Sequence, residues 1–177
     1  MKLVDALRCP YCARVRITLA EKGVEFENVQ VDLRDRPAWL FELNPPAGRV
    51  PVLRDTVDLP ESEVIMAYLE ERFPEPALLP DDLVTRAHAR LLLHRFDSNL
   101  GDDYYAYRRG DENDLAGRLE RLEVGVSLFS DIGYAPWVIR ARDLLGVELP
   151  ARVATWLAAL EERPSIAAEV AVVRSLP

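Results

Sequence analysis

Apolar positions change period several times along the first part of the chain. Leu3, Val4, Ala6 and Leu7 form a short apolar run that predicts a strand over residues 2–6. From Tyr11 the spacing becomes helical, with Val15, Thr18 and Leu19 on one face and Gly23 as the stop, so residues 11–22 predict a helix. After Phe26, the residues Val29, Val31 and Leu33 alternate with Gln30 and Asp32, which is the period of a half-buried strand. Residues 37–43 predict a short helix, closed by the Asn44-Pro45-Pro46-Ala47-Gly48 loop. Residues 50–53 and 57–59 then face one another as a hairpin around Arg54-Asp55-Thr56. A helix beginning after Pro60, with Val64, Ile65, Tyr68 and Leu69 on one face, has to stop by Phe73, because Pro74 and Pro76 follow.

This order, βαβα then ββα, predicts an α/β domain of thioredoxin-like arrangement, βαβαββα, with a mixed four-stranded sheet covered by helices on both faces. Beyond Pro80 the strand signals vanish. Residues 82–99, 114–126, 131–145, 150–162 and 165–173 all have helical spacing, with apolar stripes such as Leu92, Leu93, Phe96 and Leu100, or Leu115, Leu119 and Leu122. The proline-rich segment 74–80 serves as linker. Two domains are therefore expected: 1–75, thioredoxin-like, and 81–177, all-α.

The formal net charge of −8 disfavours direct binding to nucleic acid or anionic lipid, which calls for a basic stripe. The arginines are numerous but interleaved with acids, the pattern of solvated helix faces. No apolar stretch is long enough to span a membrane, and Met1-Lys2 leads directly into the first apolar run without a leader-like segment, so a cytoplasmic location is the expectation.

Both cysteines lie in one tetrapeptide, Cys9-Pro10-Tyr11-Cys12, at the junction of the first strand and the first helix. That spacing across a first helical turn suits thiol–disulfide exchange, with exposed N–H groups and the helix dipole favouring a thiolate on Cys9. Cys9 is the expected nucleophile and Cys12, a turn further in, the resolving thiol. A structural disulfide would need an oxidising compartment. A zinc site would need two further ligands, and His88 and His94, six residues apart, fall on different faces of a helix, so no metal is expected.

Taken together, the CPYC turn after the first strand, the segment Arg49-Val50-Pro51-Val52, the pair Glu61-Ser62 opening a helix, and the all-helical second half resemble the cytosolic glutathione S-transferase superfamily. The cysteine places the chain nearer its omega-like and glutaredoxin-2-like members than its tyrosine or serine types. Residues 61–74, followed by Arg86 and His94-Arg95, also resemble the stringent starvation protein A branch, which binds RNA polymerase.

The resemblance implies glutathione as co-substrate. Val50-Pro51 is similar to the family's cis-proline turn, which leaves the Val50 backbone to pair with the cysteinyl part of the tripeptide. Glu61 and Ser62 match the residues that hold the γ-glutamyl end, although a plain N-cap is the alternative reading. Arg49 is a candidate for the glycyl carboxylate, or is only solvated. Three functions follow: a glutathione-dependent thiol–disulfide oxidoreductase acting through Cys9, a conjugating transferase, and a non-catalytic RNA polymerase-associated protein. The second substrate would be a small disulfide or an electrophile, and homodimerisation is the family's habit. The helical half is shorter than the family's pattern, with the shortfall between Arg118 and Asp131; Asp131 is expected to cap the helix it opens. Tyr104, Tyr105, Tyr107 and Trp137 are candidates to line an electrophile pocket. Pro74 and Pro76 match the proline-bearing surface of the starvation-protein branch, or simply stiffen the linker.

Overall fold

The computed structural model describes residues 1–176, which divide into two units, 1–76 and 77–176. In the first unit the chain runs β1 (Lys2–Asp5), α1 (Pro10–Glu21), β2 (Glu27–Gln30), α2 (Ala38–Leu43), β3 (Val52–Arg54), β4 (Asp58–Pro60) and α3 (Ser62–Arg72). The strands pair in the order β2-β1-β3-β4, with β1 parallel to β2 and antiparallel to β3, and β3 antiparallel to β4. Because successive side chains alternate across a strand, Val4 and Val52 join one apolar cluster with Ala6, Cys9, Cys12, Leu40 and Val50. Their neighbours Leu3 and Leu53 join a second, with Val15, Leu19, Ile65 and Leu69. This is the thioredoxin-like sheet with helices on both faces.

Two local departures from the sequence pattern have clear causes. The alternation runs to Leu33, but β2 ends at Gln30, because its partner β1 ends opposite at Asp5 and the last cross-strand bond is Val31 N–H to the Asp5 carbonyl at 2.9 Å. Val31 and Leu33 still pack on the first cluster, from a turn in which Asp32 accepts the Arg34 N–H at 2.8 Å. The hairpin strand likewise begins at Val52, not Val50, because Pro51, joined to Val50 by a cis bond, has no N–H to give a ladder.

Two buried charges brace this unit. Asp5, fully buried, accepts from Arg16 at 2.5 Å, Asn28 at 2.9 Å and Gln30 at 2.8 Å. Lys22, just past α1, has a side chain with no exposed surface and pairs with Glu70 of α3 at 2.5 Å and the Pro76 carbonyl at 2.7 Å.

The second unit is helical: α4 (Leu83–His94), a π-helical turn (Asp97–Gly101), α5 (Asp102–Arg109), α6 (Leu115–Arg121), α7 (Leu128–Asp143), α8 (Ala151–Glu161) and α9 (Pro164–Ser175). Every residue of α7 from Phe129 to Ala141 is buried, so this helix is the axis around which the unit packs. Arg140 on α7 pairs with Glu169 on α9 at 2.9 Å, both 2 % exposed. No helix among the described residues is long and apolar enough to cross a membrane.

Here the sequence pattern misleads in two places. Residues 100–113 have no convincing apolar stripe, yet α5 forms there. It rests on one buried anchor, Tyr104, with Asp102 and Asp103 in its first turn and Arg108 and Arg109 in its last complementing the dipole, and Gly110 at φ +78° ending it. Asp131 does not cap α7, as expected from the family pattern. The helix starts three residues earlier, capped by Ser127, whose hydroxyl accepts the Ser130 N–H at 3.1 Å, while Asp131 reaches back to the Gly125 N–H at 2.8 Å.

Candidate functional site

The sheet register determines which motifs meet. Val4 of β1 lies opposite Val52, so the segment leaving β1 toward Cys9 and the segment entering β3 from Val50-Pro51 emerge at the same end. Val52 lies opposite Pro60, so Glu61-Ser62, immediately after β4, emerge there too. Three sequence-distant motifs thus converge on one edge of one sheet.

Cys9 is the N-cap residue of α1, with its own N–H bonded to the Ala6 carbonyl at 2.8 Å and Pro10 as the first helical residue. Its Sγ lies 3.8 Å from the Val50 carbonyl oxygen, which ties the first motif to the second. Cys9 is 8 % exposed and Cys12 wholly buried, and both are thiols, not a disulfide. Burial first, then a hydrogen bond with Cys9 and the nearby charges of Cys9 and Asp5, push the Cys12 thiol well above its ordinary range. The two sulfurs are therefore unequal: Cys12 is held as a thiol.

Ser62 is the first residue of α3 and 5 % exposed; its Oγ accepts from Arg14 Nη1 at 3.2 Å. Because Arg14 fills a lone pair of that hydroxyl, the Ser62 proton is left to point elsewhere. Glu61 takes φ +67° and ψ 113°, outside the regions open to side-chain-bearing residues, and its exposed carboxylate makes no capping bond. Val50 is nearly buried and joined to Pro51 by a cis peptide. Arg49 is exposed; its carbonyl accepts from Asn44 Nδ2 at 3.1 Å, which helps hold the loop. Gly48, at φ +54°, is required there twice over, since a Cβ would also meet the Phe41 ring at 2.9 Å.

Arg14 is the residue that pattern reading passed over. It is 3 % exposed, on the packed face of α1, with its guanidinium 5.3 Å from the Tyr11 ring centroid. Its signal in the sequence was a charge adjacent to the core position Val15. The aromatic candidates of the helical half divide otherwise. Trp137 is wholly buried against Phe96, ring centroids 4.2 Å apart, and Tyr104 is 3 % exposed, edge-on to Tyr105 at 5.2 Å. Both are buried core residues, whereas Tyr107 is 40 % exposed.

A thioredoxin-like sheet presenting a cysteine at the first helix cap beside a cis-proline turn, joined to an all-helical unit, defines the class: a thiol-bearing protein of transferase architecture. Residues 3–77 match the family model for the glutathione S-transferase N-terminal domain. Glutathione S-transferase omega-1 of Mus musculus is 30 % identical over 179 residues, 88 % of this chain and 74 % of that protein. The chain belongs to the glutathione S-transferase superfamily. A stringent starvation protein A homolog of Haemophilus influenzae is 44 % identical over 115 residues, 64 % of this chain; the match spans about half of that relative, 53 % of its length. Among solved structures, glutathione transferase Omega 1C of Trametes versicolor superposes with TM-score 0.82 at 28 % identity, covering 98 % of this chain and 93 % of that one. Rice GST1, solved in complex with glutathione, gives TM-score 0.78 at 25 % identity, covering 96 % and 91 %.

Proposed function

We propose that the protein is a glutathione-dependent thiol–disulfide oxidoreductase, a thioltransferase that removes glutathione from mixed disulfides through Cys9. The observation that carries this reading is the convergence of Cys9, Val50-Pro51 and Glu61-Ser62 at one sheet edge, with Cys9 Sγ 3.8 Å from the Val50 carbonyl. In the proposed step the Cys9 thiolate attacks the glutathionyl sulfur of a mixed disulfide. A Cys9–glutathione disulfide forms and the substrate thiolate leaves, taking a proton from solvent. A second glutathione thiolate then attacks the same sulfur, restoring the Cys9 thiolate and releasing glutathione disulfide.

The protein's residues supply the geometry of these steps. Val50 offers its backbone to the cysteinyl part of glutathione. The Ser62 hydroxyl, oriented by Arg14, donates to the γ-glutamyl carboxylate at the N-terminus of α3, and Glu61 meets the ammonium. Arg49 is the proposed partner of the glycyl carboxylate. A buried Cys12, held as a thiol, makes glutathione rather than Cys12 the resolving nucleophile. The reading includes a reducing cytoplasm and a homodimer, the latter checked by light scattering.

Incubation with glutathione disulfide followed by intact-mass measurement tests the proposal. One glutathione on Cys9 is expected, absent in Cys9→Ser; no Cys9 adduct overturns it, and a Cys9–Cys12 disulfide in its place would make Cys12 the resolving group. A conjugating transferase instead predicts turnover of an aryl halide that survives Cys9→Ser. The 44 % identity to a stringent starvation protein A homolog favours a second reading, an RNA polymerase-associated protein presenting the segment Phe73-Pro74-Glu75-Pro76, whose Pro76 carbonyl is held by Lys22. Co-purification of polymerase subunits from the native host decides it.

A further inference from the structure

The helical unit contains a concave site of its own. A cavity of about 310 Å³, within the size range of small-ligand pockets, opens beside the π-helical turn Asp97–Gly101. Single π turns insert an extra residue into a helix and recur at functional sites. Here the turn is locked by Tyr134, whose hydroxyl donates to the Leu92 carbonyl at 2.6 Å and accepts from Asn99 Nδ2 at 3.1 Å, and all three residues line the cavity.

Its lining is rich in guanidinium donors. In a chain of net charge −8, the lining carries three arginines, Arg95, Arg118 and Arg121, with His88, against the single carboxylate of Glu123. Arg118 and Arg121 are pinned from outside the cavity, Arg118 Nε to Asp103 at 2.7 Å and Arg121 Nη2 to Asp114 at 2.6 Å. Each ion pair uses one edge of a guanidinium and leaves further N–H groups for a ligand. Among the described residues no carboxylate pairs with Arg95. Leu91 and Leu122 add an apolar wall.

We infer that this cavity binds a small organic dianion, a phosphate monoester or dicarboxylate on a short apolar body, independently of the site at Cys9. Guanidinium forks match both head groups: Arg95 has no carboxylate partner among the described residues, and Arg118 and Arg121, although their charges are met by Asp103 and Asp114, keep further N–H donors for a doubly charged head group. Phenyl phosphate and phthalate are the probes, with benzamide as the uncharged control, followed by amide chemical shifts of the labelled full chain. The expected result is saturable one-to-one binding of at least one dianion, with a dissociation constant below about 1 mM that weakens with salt. Shift changes should centre on Arg95, Asn99 and Leu122. Which dianion binds more tightly identifies the head group. Arg95→Glu and Arg121→Glu should each weaken binding by about tenfold, while unchanged shifts for α8 and α9 of the same unit report intact folding. Cys9→Ser should leave binding unchanged, which separates this site from the proposed thiol chemistry. The inference is overturned if neither dianion saturates, if benzamide binds as tightly, if the shifts centre on Cys9 and Ser62, or if both arginine variants bind like the native chain.

Discussion

Glu61 offers the sharpest separation of stability from function. Its φ of +67° with ψ of 113° lies outside the regions open to residues with a Cβ, and such positions cost about 1–3 kcal/mol. Its carboxylate, at the N-terminus of α3, returns roughly 0.3–1 kcal/mol through the helix dipole. Glu61→Ala loses the charge and keeps the strain, so it should be slightly less stable than the native protein. Glu61→Gly loses the same charge and relieves the strain, at a cost of about 0.4–1 kcal/mol in unfolded-chain entropy. The glycine variant should therefore exceed the alanine variant by about 1 kcal/mol, or roughly 3 °C in Tm for a chain of this length. Both variants should lose glutathione affinity alike, because both lack the group proposed to meet the ammonium. Urea denaturation and calorimetric titration with glutathione measure the two quantities. Equal stability of the alanine and glycine variants would show that the backbone at this position stores nothing. Retention of native affinity by both would remove Glu61 from the binding site.

Three further outcomes follow. Cys12→Ser should keep deglutathionylation of a glutathionylated peptide within about threefold of the native rate, since burial already holds Cys12 as a thiol; a loss above about tenfold would make Cys12 the resolving group. Burial raises the Asp131 carboxyl above its ordinary value, with the Gly125 N–H pulling the other way. A raised folded pKa means that the native state holds the proton more tightly, a contribution complete below the unfolded value near 3.9 and lost as pH rises through the folded one. Asp131→Asn, which keeps an oxygen for Gly125, should accordingly gain on the native chain as pH rises from about 4 to 7; a difference in urea midpoint independent of pH contradicts this. Ser127→Ala should cost about 1 kcal/mol through loss of the α7 cap, read as a fall of about 3 °C in Tm; no fall would mean the cap contributes nothing.

The first unit was legible because each strand and helix there carries its own apolar period and its own stop: Gly23 for α1, the prolines after Phe73 for α3. Where β2 ends was not, since Val31 and Leu33 keep the strand period and only the length of β1 decides where pairing runs out. The helical unit was less legible. Tyr104 alone anchors α5, too little for a stripe, and the π turn before it shifts the phase of any helical pattern. Aromatic side chains such as Trp137 give no sign in sequence of whether they face a core or a cavity. Cys9, Cys12, Val50, Pro51, Glu61 and Ser62 were all visible as motifs. The Arg14 to Ser62 bond was not, because it joins residues 48 positions apart across two helices.

The burial of Lys22 has a practical consequence. The chain has only two lysines, Lys2 and Lys22, and the Lys2 side chain is 53 % exposed while that of Lys22 has no exposed surface. Of the two lysine side chains, amine-directed reagents therefore meet only Lys2 in the folded protein, giving an attachment point at the start of β1, away from the cysteine edge. Acylation of Lys22 demands that α1, α3 and the Pro76 segment come apart, so its rate of appearance in a peptide map clocks the opening of that junction without any added probe.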